Sequence, residues 1–217
     1  MSQEIYTFII VLAGWIFSVC LHEWAHAFVA YQGGDTSVKD KGYLSFNPLK
    51  YTDPLFSIVV PIFFLLIGGL GLPGGAVYIE SHRLKSKWWD TLVSVAGPAA
   101  NVVLAIALAL ILQYVPPAEA ARPALAFLAL LQVSAVLFNL IPFPGFDGFG
   151  ALRPHLDEET RRAADGLAMF GFLGAFLLLR IEAVSNSFWG VIQLICLTLG
   201  LDPNLINAGI DQFTFWR

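Results

Sequence analysis

Residues 22–26 read His22-Glu23-Trp24-Ala25-His26, the pattern H-E-x-x-H. On a helix, positions i and i+4 share one face, about 40° apart at 3.6 residues per turn. Both imidazoles can then reach one tetrahedral Zn²⁺ at about 2.0–2.1 Å. Glu23 adjoins the first histidine and can act as general base on water. The setting gives the pattern weight. Between residues 5 and 31 the chain is apolar, and Glu23 is its only formal charge. A charge at the centre of a bilayer costs at least ~2.5–3.5 kcal/mol on insertion scales, so polar groups there need a partner.

A catalytic zinc wants a third protein ligand and an open position for water. His82, His155 and carboxylates near helix ends are available. Asp147 closes an apolar run in "NLIPFPGFDG". Before Gly148 it also reads as a turn-forming aspartate, so these residues alone leave the third ligand open.

The elements that must position these side chains follow from composition. The chain has 217 residues, 57% of them hydrophobic and 13% charged. Soluble domains carry about twice that charged fraction. With mean hydropathy +0.71 and several uncharged stretches long enough to cross about 30 Å of hydrocarbon, the predicted fold class is an all-α polytopic membrane protein. About six hydrophobic segments are expected, near residues 5–31, 54–72, 91–115, 123–141, 167–179 and 188–201. Pro73, Gly74 and Gly75 before "AVYI" predict a short extended or re-entrant element near residues 68–80. Residues 1–217 read as a single membrane-embedded domain, with a core over about 5–150 and C-terminal helices over about 166–201. Cys20 and Cys196 both lie in apolar runs and read as small buried hydrophobes. The first run has no basic n-region or cleavage site, so it is expected to stay as a helix.

Topology constrains the chemistry further. If each of the first four runs crossed fully, His26 and Asp147 would emerge on opposite faces. If the second run returns without a net crossing, they share one face. Lys39, Lys41, Lys50, Arg83, Lys85, Lys87, Arg153, Arg161 and Arg162 then fall on that face too, which the positive-inside rule makes cytoplasmic.

Three motifs in order, "HEWAH", "AGPAAN" and "NLIPFPGFDG", resemble the site-2 protease family of intramembrane zinc metalloproteases. "GYLSFNPLKYTDP" and "GLPGGAVYI" are similar to segments of its compact prokaryotic branch. The resemblance covers roughly residues 15–150. Asn139, Pro142, Asp147 and Gly148 match the family's N-x-x-P-x-x-x-x-D-G pattern, which implies Asp147 as the third ligand. It implies one Zn²⁺ per chain on His22, His26 and Asp147, with Glu23 as catalytic base. Asn139 has two roles open to it, helping to stabilise the oxyanion or fixing the loop around Asp147. Position 145 is Gly where the family often has Pro. The extended stretch is implied to pair with an unwound substrate.

The implied reaction is hydrolysis of peptide bonds in or near transmembrane segments of membrane proteins. The expected partners are such a transmembrane substrate and the lipid bilayer, with no nucleic acid. The expected location is multi-pass in a prokaryotic cell membrane, with the active site toward the cytoplasm. The alternative is a catalytically idle zinc-binding membrane protein that serves as a helix-binding regulator or chaperone; such a protein has no need of Glu23. A metal transporter would need further ligands along a pore, and a prenyl-protein type of zinc protease would need a downstream glutamate ligand. Asn101 is read as a helix–helix hydrogen bonder, and Gly97 and Pro98 as structural. Trp24 is read as packing, His82 and His155 as loop residues, and Trp88–Trp89 as an interfacial anchor.

Overall fold

The computed structural model describes residues 2–47, 50, 77–115 and 117–216, and of residues 169, 172 and 176 the backbone alone. Among the described residues every regular element is helical. In chain order they are α1 (Gln3–Gly33), α2 (Ser37–Asp40), α3 (Lys87–Tyr114), α4 (Arg122–Asn139), α5 (Asp147–Leu152), α6 (Glu158–Leu179), α7 (Glu182–Thr198) and α8 (Pro203–Phe213). Short 3₁₀ turns precede α3 and α4 and follow α5.

Among the described residues three helical stretches are long and apolar enough to cross a membrane: α1, α3, and α4 with its preceding turn. They pack as a bundle, with α3 against both α1 and α4. Val11, Trp15, Leu108, Phe127 and Leu131 are among the residues of its core. Apolar side chains such as Val103, Leu110 and Leu194 stay exposed around it. That inversion of a soluble protein's surface is what a lipid environment requires.

Of the six expected segments, the first, third and fourth meet that test of length and apolarity among the described residues. The fifth, in α6, is long and apolar enough only when Glu158–Ala168 and Leu173–Leu179, which diverge by 75°, are taken together. The sixth, α7, has 17 residues, short of the roughly 20 that a full crossing takes. The second hydrophobic run, and residues 68–76 of the expected extended element, lie outside the described residues. Residues 77–80 are described and are not helical. Val77 and Ile79 pack inward while Tyr78 is exposed.

α8 follows the last segment expected from the sequence. Its start is set by Asp202, whose side chain accepts the N–H of Asn204, with Pro203 at the first helical position. Phe213 stacks on Phe8 at 5.3 Å and is fully buried, so the C-terminal helix closes the bundle against α1 and α4.

The ends of the helices fix which groups can meet. The Lys85 N–H donates to Gly33 O at 2.9 Å, and Lys85 Nζ donates to Gln32 O at 2.8 Å. The end of α1 and the start of α3 therefore lie together. At the other end, Gln3 Nε2 donates to Ala120 O at 2.6 Å, joining the start of α1 to the turn before α4. α1 and α4 thus run the same way and α3 runs opposite. His26 and the turn after α4 end on one side.

Candidate active site

His22 and His26 lie on the buried face of α1, as their spacing requires, and each is under a tenth exposed. Asp147 starts α5, eight residues beyond the end of α4. Its Oδ2 lies 3.1 Å from Nε2 of His22 and 3.5 Å from Nε2 of His26, and the two Nε2 atoms are 3.0 Å apart.

The outer nitrogens decide what this cluster can hold. His26 Nδ1 lies 2.6 Å from the carbonyl of Val93, which can only accept, so the proton sits on Nδ1. His22 Nδ1 likewise donates to Asn101 Oδ1 at 3.0 Å. Both Nε2 atoms of the neutral rings therefore carry lone pairs, and they point at each other and at a carboxylate oxygen. Oδ2 of Asp147 is buried without a hydrogen-bond donor. Three acceptors converging within 4.8 Å of one another make a site for a cation. One imidazole from each of two positions and one carboxylate is a donor set that zinc accepts.

α3 gives this site its room. A Cβ on Gly97 would overlap Nε2 of both histidines. Gly97 therefore faces the space between the rings, a place in the site that the sequence reading of it as structural did not specify. Asn101, one turn on, orients His22. Its signal was a polar residue four positions after a glycine in an otherwise apolar helix, which places both on one face.

The turn that presents Asp147 depends on Gly145. Its φ is +100°, a conformation that side chains rarely adopt and that proline's ring forbids. An added Cβ would also stand 2.8 Å from the Ala168 carbonyl. Glycine here thus permits a backbone path that proline could not take, closed under α6.

Glu23 is buried and lies within electrostatic range of His22, His26 and Asp147. Its Oε2 accepts the Val77 N–H at 3.2 Å. The strip carrying Val77 is held from its far end: the Glu80 N–H donates to Asp35 Oδ2 at 2.8 Å, and Lys41 Nζ donates to Tyr78 O and to Glu80 Oε1. Lys41 and then Arg83 pull the Glu80 carboxyl down to about 2. Asn139 ends α4, buried, and lines a small cavity with His22 and Asn101.

The other candidates stand elsewhere. His82 is largely exposed, 3.7 Å from Glu80. His155 Nε2 lies 2.9 Å from Thr91 Oγ1, and its ring packs on Trp88. Trp24 stacks on Phe28 and Phe46.

Residues 7–123 match the model of peptidase family M50. The chain belongs to this family. It is a metalloprotease of the site-2 protease kind and, with three apolar helices of membrane-crossing length among the described residues, an integral membrane protein. The match takes in His22, Glu23, His26, Gly97 and Asn101 and stops before Asp147. Rip2 of Mycolicibacterium smegmatis, a zinc metalloprotease by name, is 44% identical over 96% of this chain and 81% of its own length. Rip2 of Mycobacterium tuberculosis is 39% identical over the same shares. YwhC of Bacillus subtilis, also a zinc metalloprotease by name, is 32% identical over 79% of this chain and 80% of its own. No solved structure matches the chain.

Proposed function

We propose that the chain is an intramembrane zinc endopeptidase that cuts peptide bonds in or near transmembrane segments of membrane proteins. The observation that carries this reading is the convergence of two imidazole lone pairs and a carboxylate, with a buried glutamate beside them. His22, His26 and Asp147 hold the Zn²⁺. When bound, zinc supplies Lewis acidity, polarising the peptide carbonyl and acidifying water. Glu23 takes the proton of the attacking water and hands it to the leaving amine. Asn139 either donates to the developing oxyanion or braces the turn before Asp147. Residues of about 5–150 form the catalytic core, and the C-terminal helices complete the single domain.

The lysines and arginines support an active site toward the cytoplasm. Lys85 lies at the histidine end of α1, Lys39 is in α2 just beyond it, and Lys41 and Arg83 both pair with Glu80. The opposite end offers Arg122, paired with Glu119. That asymmetry follows the positive-inside rule. The named relatives are bacterial, which supports a prokaryotic cell membrane. The alternative of an idle zinc protein leaves a buried carboxylate beside the site without a use.

Purified protein incubated with a panel of single-span substrates tests the reading. Cleavage by the wild type and none by Glu23→Gln, with zinc retained in both, is the expected result. Cleavage that survives in Glu23→Gln would sink it.

A further inference from the structure

Behind His22, between α1, α3 and α4, lies a small cavity of about 10 Å³. That is the lower end of the room one water needs. Trp15, Ser18, His22, Asn101 and Asn139 line it, and all five are buried. Val19 and Ala135 complete the lining, so polar side chains from three helices meet there beside two apolar ones.

Two of the nearby donors have nothing to donate to. Trp15 is 1% exposed, and its Nε1 has no hydrogen-bond partner. An indole N–H can only donate, so only an acceptor can satisfy it. Gln132 is fully buried; its Oε1 accepts from Ser18 Oγ at 2.6 Å, while its Nε2 has no partner. Buried unpaired donors in an otherwise satisfied region point to an acceptor small enough for the space. Ser18 Oγ and Asn101 Oδ1, already engaged with Gln132 and His22, keep lone pairs for a second partner.

We propose that this cavity is a water-binding site abutting the metal centre, and that it stores the water consumed in hydrolysis. The bound water accepts from Trp15 Nε1 and donates to Ser18 or to the asparagine side chains. Each cleavage breaks one C–N bond, adds OH to the carbonyl carbon and H to the amine nitrogen, and so uses one water. In an apolar bilayer that water needs a polar place to wait, and this one borders His22. The binding stands by itself; the supply role rests on the protease reading.

Hydroxyl-radical footprinting of the full chain in lipid nanodiscs tests the binding, because radicals formed from a bound water mark the side chains that touch it. Trp15 is expected to be labelled readily while Phe127, equally buried, stays unlabelled. Trp15 as silent as Phe127 would overturn the site. Ala135 lines the same cavity, and Ala135→Val should fill it. The expected result is loss of Trp15 labelling and a several-fold fall in kcat at unchanged KM and zinc content. Trp15→Phe, which removes the donor and leaves an apolar ring in its place, should lower kcat in the same way should Ala135→Val fail to fold. Wild-type kcat in both variants would overturn the supply role. A wild type that labels at Trp15 yet cleaves no substrate would overturn the protease reading and with it the supply role, and would uphold the water site.

Discussion

Asn101 Oδ1 lies 3.0 Å from Nδ1 of His22. A residue of α3 thereby fixes the tautomer of a histidine on α1 and turns its Nε2 toward Asp147. Helix packing and site chemistry meet in this one bond, because α1 and α3 cannot shift without breaking it. Partners of this kind on metal-binding histidines are worth roughly 10–100-fold in affinity or activity.

Replacing Asn101 by Ala should weaken zinc binding by that order, ~10–100-fold. Asn101→Asp, which keeps an acceptor at the same reach, should recover much of it. Competition with a chromophoric chelator on the purified protein measures both. Equal affinity in wild type and Asn101→Ala would show that His22 needs no brace.

Gly97→Ala places a methyl group against both imidazole Nε2 atoms. The protein should lose its zinc while remaining folded, since overpacking a site costs about 1–3 kcal/mol. Metal analysis beside a circular-dichroism melt separates the two effects. Full zinc occupancy in Gly97→Ala would mean that α3 moves aside, against the packing described.

Asp147→Ala and Glu23→Gln should separate binding from catalysis. The first removes a proposed ligand and should lower zinc affinity and cleavage together. The second keeps zinc and should lose about 10²–10⁴-fold in rate, the usual worth of a general acid–base group. Zinc content and single-turnover cleavage read the difference.

Gly145→Ala forces a side chain into a φ of +100° and toward the Ala168 carbonyl. The expected cost is about 1–3 kcal/mol of local strain. Because the turn presents Asp147, zinc affinity should fall with thermal stability. An unchanged melting temperature and unchanged zinc binding would show that the turn relaxes freely.

Glu80 gives a pH signature outside the membrane helices. Lys41 and Arg83 hold its carboxyl at about 2, against an ordinary 4.5. Folding binds fewer protons than the unfolded chain in that window, so the contribution is fully present above about 4.5. It is lost as pH falls through about 2. Lys41→Ala should bring the Glu80 value up toward the ordinary one and flatten the slope of stability between pH 4.5 and 2. Thermal unfolding in detergent across that range checks it; parallel curves for the two proteins would show that Lys41 has no part.

How much of this was legible in the sequence depends on how local each signal is. H-E-x-x-H needs only the periodicity of one helix, so His22, Glu23 and His26 could be read as a unit. Apolar length marked α1, α3 and α4, because crossing a bilayer sets a minimum run. Toward the C-terminus the signal is weaker, because length alone does not tell a full span from a shorter packed helix. α8 escaped notice because its 11 residues carry no such signal; a cap and one buried face hold it.

What the sequence by itself determined is the chemistry available: two histidines and a glutamate on one helix, and an aspartate after another. The tertiary structure decided which lone pairs meet. Val93 and Asn101 set the tautomers, Gly97 keeps the space between the rings open, and Gly145 turns Asp147 toward them. The first three act across dozens of residues, through contacts no local pattern encodes. The reason is physical: a metal site is a matter of ångströms between side chains on different helices, and only packing fixes those.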